Sequence, residues 1–279
     1  MNAKISSKNL TGVPLTALFP LYGRAKETNK KNHLFQDPYA TKILEQIDFD
    51  FSLYENMRAA KKKEMLTGIA VRTKILDDYA SDFLGQFPDG LIVNLGCGLD
   101  TRFFRLDNGK INWVDVDLSE IIQLREKLFE KKDRYKMLAA SVIEQNWLNE
   151  ISVEEGKKVM IIAEGTLMYF KEEEVKTLFN QLIAKFPRAI LYFEVMGSKL
   201  EGKVHPSAAV LGIDVKCPWG IEDIESMEAW SSKIKLIKAT SLIDRYRERW
   251  PLIHRAMTSI FPGIKRKLGH SIVHMEIEG

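Results

Sequence analysis

Cysteine is scarce, at 2 of 279 residues. That is too few for a disulfide framework, and Cys97 lies inside a Gly-Cys-Gly turn, a poor place for a bridge. Cysteine use of this kind fits a reducing compartment, so a cytoplasmic location is expected. Charge of one sign is lacking too: 41 basic against 38 acidic residues leave a net charge of +3. A nucleic-acid binder would carry a basic field across a whole face. Here the short clusters Lys30-Lys31 and Lys61-Lys62-Lys63 read as solvated surface. No apolar run approaches the ~20 residues that cross a bilayer. Residues 10–22 have the apolar character of a secretory leader, but Pro14 and Pro20 interrupt them and no small-residue cleavage site follows. Neither a nucleic acid nor a membrane is therefore an expected partner.

What is present is a hydrophobic fraction of 45%, enough for a substantial core. The pattern changes along the chain. Residues 1–88 read as helical, with no convincing strand, and are expected to form an N-terminal cover. Residues 90–196 alternate short β-branched runs with amphipathic segments, the mark of βαβ units and a parallel sheet. Strands are predicted at 91–95, 111–116, 136–140, 159–163 and 189–195. Ser119 is placed as the N-cap of a helix whose apolar face carries Ile121, Leu124, Leu128 and Phe129. Residues 171–186 predict another helix, with three glutamates in its first turn, where the helix dipole favours them. Residues 197–230 form a Gly/Pro-containing excursion, and two further strands are expected at 234–237 and 272–277. The fold class is α/β, doubly wound around a mostly parallel sheet spanning 89–279.

The first predicted strand runs into Gly96-Cys97-Gly98. Glycines there let the backbone turn sharply and approach a ligand that a Cβ would hold off. The dinucleotide fingerprint needs a third glycine three positions after the second, but Thr101 stands there, which weakens a nicotinamide reading. Asp117 ends the second strand about 20 residues past the glycines, where an acid accepts ribose hydroxyls. Asp115 is expected on the opposite face. Upstream, Met65, Ile69, Leu76, Tyr79 and Phe83 form a helical stripe whose missing member is Arg72. A guanidinium in an apolar stripe needs an anion. Either a structural carboxylate or the carboxylate of a bound ligand answers that need. Glu164, at the carboxyl end of the 159–163 run, suits a ligand ammonium or ribose, or a structural ion pair.

These residues resemble the leucine carboxyl methyltransferase family, and within it the bacterial branch similar to the O-methyltransferase of tetracenomycin polyketide synthesis. The resemblance spans residues 15–196. It rests on Asp37-Pro38-Tyr39-Ala40, Arg72-Thr73, the run NLGCGLDTRFFRL from Asn94 to Leu106, Val116-Asp117-Leu118, and Ala163-Glu164-Gly165-Thr166-Leu167-Met168-Tyr169. It implies a seven-stranded sheet and S-adenosylmethionine as methyl donor. It further implies that Arg72 meets the methionine carboxylate, that Gly96 and Gly98 flank the methionine part, that Asp117 holds the ribose and that Glu164 lies against the cofactor. Lys26 or Arg24 corresponds to an N-terminal basic contact. Where the family has Ala-Asp-Leu beside the adenine, this chain has Ala140-Ser141-Val142, so Ser141 and Val142 offer a hydroxyl in place of a charged acceptor.

The expected activity is O-methylation of a carboxylate on a small-molecule or peptide-like acceptor. A carboxylate is ionised at neutral pH and needs no general base. In keeping with this, none of His33, His205, His254, His270 and His274 has a partner identifiable from sequence, and no catalytic residue is assigned. No metal is expected: His270 and His274 are four apart, but the stretch alternates like a strand. Tyr22, Arg24, His205 and Trp219 are candidate acceptor contacts. The alternatives are methylation of a hydroxyl or nitrogen, or cofactor binding without catalysis.

Overall fold

The computed structural model describes residues 4–261 and 263–279. Two strands sit in the N-terminal zone where the sequence predicts only helix: β1 (Ile5–Ser6) and β2 (Ile47–Asp48) pair in parallel. Two residues each are too few for period-two alternation to register. The rest of this zone is helical. Helices Leu18–Thr28 and Pro38–Gln46 bury Leu18, Leu21, Tyr22 and Ile43 in a cluster of their own.

The five predicted runs become β3 (Leu91–Leu95), β4 (Asn112–Asp117), β5 (Tyr135–Ala139), β6 (Val159–Ala163) and β7 (Ile190–Met196). All pair in parallel. The last two strands, β8 (Ile234–Ser241) and β9 (His270–Ile277), are antiparallel and longer than predicted. The seven-stranded order is β5-β4-β3-β6-β7-β9-β8. From the central β3–β6 pair the chain winds outward in both directions, which leaves a crevice at the carboxyl ends of these two strands.

Both faces of the sheet are apolar because helices cover both. Val93, Leu95, Val116 and Ile161 meet helix Glu172–Lys185 on one face through Val175, Leu178 and Leu182. Ile92, Trp113, Met160 and Ile162 meet the long helix Ala59–Gln86 on the other through Val71, Ile75, Leu76 and Phe83. Burying each such side chain is worth roughly 1.5–3 kcal/mol. Among the described residues, no helix is long and apolar enough to cross a membrane.

Two local expectations change. Helix Ser119–Leu128 begins at Ser119 itself, with Leu118 as its cap residue. Between β8 and β9 the sequence reading places no element. The stretch there contains two 3-10 turns and helices Leu252–Ile260 and Ile264–Leu268. Helix Leu252–Ile260 does carry an apolar stripe at helical spacing (Leu252, Ile253, Ala256, Met257 and Ile260), but Leu252, Ile253 and Ile260 lie exposed on it. This segment is fastened to the N-terminal helices: Arg249 Nη1 donates to the buried Glu27 Oε1 at 2.6 Å.

Candidate active site

The glycine turn is held open by its neighbours. Gly96 and Gly98 have φ of +60° and +50°, which favours glycine at both. A Cβ on Gly96 would lie within 2.9 Å of Thr166 Cβ and closer still to its Oγ1. The Thr166 hydroxyl already donates to Leu95 O at 3.1 Å, so β3 and the segment after β6 interlock here. Gly98 N donates to Asp117 Oδ2 at 2.6 Å, and Leu118 N donates to Oδ1 at 2.7 Å. Burial pushes the Asp117 carboxyl up to about 6, against the pull of these two amides and of Arg125.

Asp115 does not face away. Side chains two apart share one face of a strand, and Asp115 pairs there with Arg125 while accepting from Trp113 Nε1 at 2.8 Å. Arg125, invisible as a site residue in the sequence, donates from Nη1 to Gly98 O at 2.7 Å and Asp100 O at 2.9 Å. It therefore props the glycine turn from below. Asp37 fixes the turn from above. It caps helix Pro38–Gln46 by accepting from Ala40 N at 2.9 Å, and it receives Arg24 Nε at 2.9 Å and the Thr101 hydroxyl at 2.6 Å. Arg24 continues to Leu99 O. The Asp-Pro-Tyr-Ala motif is thus a bolt between the N-terminal helices and the turn.

Arg72 finds two carboxylates: its Nε donates to Glu164 Oε1 at 2.8 Å and its Nη1 to Glu194 Oε2 at 3.0 Å. The φ of +64° and missing Cβ of Gly165 make room for this guanidinium. Arg102 reaches the other Glu164 oxygen at 2.8 Å. Burial alone would raise the Glu194 carboxyl, but Arg72 and His270 outweigh it and hold it at about 2. His270 Nδ1 lies 2.8 Å from Glu194 Oε1.

These groups surround a cavity of about 320 Å³ over the crevice. All seven candidate cofactor contacts line it: Arg72, Gly96, Gly98, Asp117, Ser141, Val142 and Glu164. Among the candidate acceptor contacts, Arg24 and His205 also line it. Trp219 does not, being buried in the core beneath β7, and Tyr22 packs inside the N-terminal cluster. Lys26 pairs with Glu55 away from the cavity. A second cavity of about 210 Å³ adjoins the first, and Phe19, Ile69, Arg72 and His205 line both. Among the described residues no group of three or more His, Cys, Asp or Glu side chains could hold a metal ion.

A doubly wound sheet with a glycine turn at β3, an acid ending β4 and a cavity above them is the arrangement of an S-adenosylmethionine-dependent methyltransferase. The comparisons agree with that class. The chain is 30% identical over 242 residues to the tetracenomycin polyketide synthesis O-methyltransferase of Streptomyces glaucescens, covering 84% of this chain and 85% of that one. It is 26% identical over 187 residues to an S-adenosyl-L-methionine-dependent methyltransferase of Gibberella zeae, covering 63% of this chain and 62% of the relative. The fold matches a methyltransferase candidate from Thermobifida fusca with a TM-score of 0.57 at 13% identity, over 95% of this chain and 94% of that one. The sequence pattern of leucine carboxyl methyltransferase matches residues 17–183, and the chain belongs to that family.

Proposed function

We propose that the protein methylates a carboxylate oxygen of a small apolar acid. S-adenosylmethionine, when bound, supplies a methyl group on a sulfonium, already a strong electrophile. The first cavity suits it. Gly96 and Gly98 let the backbone approach the methionine part, and Asp117 can accept from the ribose while clamping the turn. Ser141 and Val142 border the adenine end. Arg72 spends Nε and one Nη1 hydrogen on Glu164 and Glu194, leaving its Nη2 edge for the methionine carboxylate. Residues 1–88 act as the cover of this site, residues 89–279 as the transfer domain, and 197–230 as a substrate-side insertion contributing His205. The buried thiols Cys97 and Cys217 suit the reducing cytoplasm.

The observation that carries the carboxylate reading is His205, at the junction of the two cavities. Its Nδ1 accepts from Ser207 N at 3.4 Å and sits 2.7 Å from the Ser207 hydroxyl. That places the ring proton on Nε2, which can donate but not receive. Burial, with help from His270 and Arg72, pushes this imidazole down to about 3. A neutral donor and poor base at the reaction point suits an acceptor that arrives ionised. Incubation with labelled donor and a panel of carboxylic acids is expected to give methyl esters that alkali removes. Transfer confined to phenols or amines would refute the reading. One observation favours that second outcome: His270 donates to Glu194, so a neutral His270 presents Nε2 as an acceptor and could take a hydroxyl proton.

Asp117 makes a pH prediction. Ribose hydroxyls favour its ionised form, whereas the ligand-free fold raises its pKa to about 6. Below that pH a proton must leave before the ribose can bind. Affinity for S-adenosylhomocysteine should therefore fall as pH drops through 6, with proton release on binding. Calorimetry in buffers of different ionisation enthalpy measures that release, and its absence at pH 5.5 would remove Asp117 from the ribose.

A further inference from the structure

The second cavity is walled by Leu242, Ile243, Trp250, Met257, Ile264 and Leu268, all from the segment between β8 and β9 or its borders. We propose that this cavity is the acceptor site and that it selects a compact apolar body bearing a single carboxylate. The proposal rests on the carboxylate reading above and adds the place and chemical class of the acceptor.

Continuity is the first argument. Arg72 and His205 line both cavities, so an acceptor lying in the second presents its head group where the first begins. His205 Nε2–H can donate to one carboxylate oxygen there. The carboxylate of Glu194 on the same wall is engaged by Arg72 and hydrogen-bonded by His270, which lessens its repulsion of an incoming acid. The second argument comes from the outer end. The two lysines that line it are each paired with a carboxylate, Lys61 with Glu64 at 3.1 Å and Lys265 with Asp244. Between the two ends the walls are mostly hydrocarbon and indole, with Ser241, His254 and Thr258 as polar members. Trp250 Nε1 donates to Arg245 O at 3.1 Å, which fixes the ring, and the ring is buried.

The third argument is closure. Arg249 holds the segment to Glu27 at 2.6 Å, and Thr67 on the long helix donates to Arg249 O at 3.4 Å. The cavity beside this tie measures about 210 Å³, room for a small acid.

The test is calorimetric titration of 2-naphthoate into protein saturated with S-adenosylhomocysteine. Met257 is 38% exposed, so Met257→Glu places a repelling charge at the cavity without disturbing the core. Naphthoate affinity is expected to fall at least tenfold in Met257→Glu and at least threefold in Ile264→Ala, while S-adenosylhomocysteine affinity changes less than twofold. A leucine-terminated tripeptide is expected to bind wild-type protein at least tenfold more weakly than naphthoate. Equal naphthoate binding by wild type and Met257→Glu, no binding by wild type, or equal binding of the tripeptide would overturn the proposal. If naphthoate binds with the expected mutational signature yet S-adenosylmethionine yields no alkali-labile ester, the acceptor cavity stands and the carboxylate reading falls.

Discussion

Gly96→Ala is expected to lose measurable binding of S-adenosylhomocysteine and to unfold several degrees below wild type. Two costs add. A residue with a Cβ at φ +60° pays about 1–2 kcal/mol for the left-handed conformation. The methyl group also overlaps Thr166, whose hydroxyl holds the turn to β3, and overpacking of this kind costs about 1–3 kcal/mol more. At roughly 2–4 °C per kcal/mol for a chain of this size, the midpoint drops by about 4–20 °C. Gly109→Ala is the control. It has φ +78° but nothing within 4 Å of the added carbon, so only the conformational cost applies and binding should persist. Calorimetry and thermal denaturation on both variants check the pair. Wild-type affinity in Gly96→Ala would mean that the turn does not approach the donor.

The second large effect concerns Arg72. Arg72→Met leaves Glu194 buried with His270 alone and Glu164 with Arg102 alone. Breaking a buried pair from one side costs about 3–5 kcal/mol. Donor affinity should also drop by about 1.5–3 kcal/mol, the worth of a charge-assisted hydrogen bond. Arg72→Lys separates the two effects: it restores charge, and with it part of the stability, but not the planar fork that meets a carboxylate. Wild-type affinity for S-adenosylhomocysteine in Arg72→Lys would refute the assigned contact. The pH dependence has a definite sign. Glu194, at about 2 in the fold, lies below its unfolded value near 4.3. Its stabilisation is present above the unfolded value and is lost as pH falls toward 2. The stability gap between wild type and Arg72→Met should therefore be widest near neutral pH and narrow below about pH 4, as urea titrations across that range would show.

The parts of the site visible in the sequence are those whose signal is local. A glycine turn after an apolar run, an acid at a strand end and an arginine in a helical stripe each declare themselves within about 20 residues. The long helix shows how far this reaches: the stripe holding Ile69, Leu76 and Phe83 is buried, and the odd member, Arg72, points at the site. The ambiguity over its partner was real, since Glu164 is at once its structural partner and a cavity wall.

What escaped the sequence joins distant segments. Arg125 under Gly98, Asp37 beside Thr101 and Glu194 beside Arg72 are separated by 27, 64 and 122 positions, and no periodicity links them. The ring proton of His205 depends on a neighbour's amide, which only the three-dimensional structure supplies. Trp219 lies in an excursion of the kind that runs over the carboxyl ends of the strands, which makes it a candidate contact, yet its indole is buried in the core. The expectation for Asp115 fails for a simpler reason: in a strand, positions two apart share one face.

β9 runs antiparallel between β7 and β8, so residues 242–269 leave the sheet at one strand and return at its immediate neighbour. A detour between adjacent antiparallel strands can lengthen, shorten or change composition without altering the winding of the five parallel strands that carry the glycine turn. It also lies beyond the stretch that bears the family pattern. With the acceptor seated as proposed, evolution could exchange the compartment on that side like a cartridge while the rest of the sheet stays constant, and a laboratory graft of the same residues between relatives should then carry acceptor preference with it.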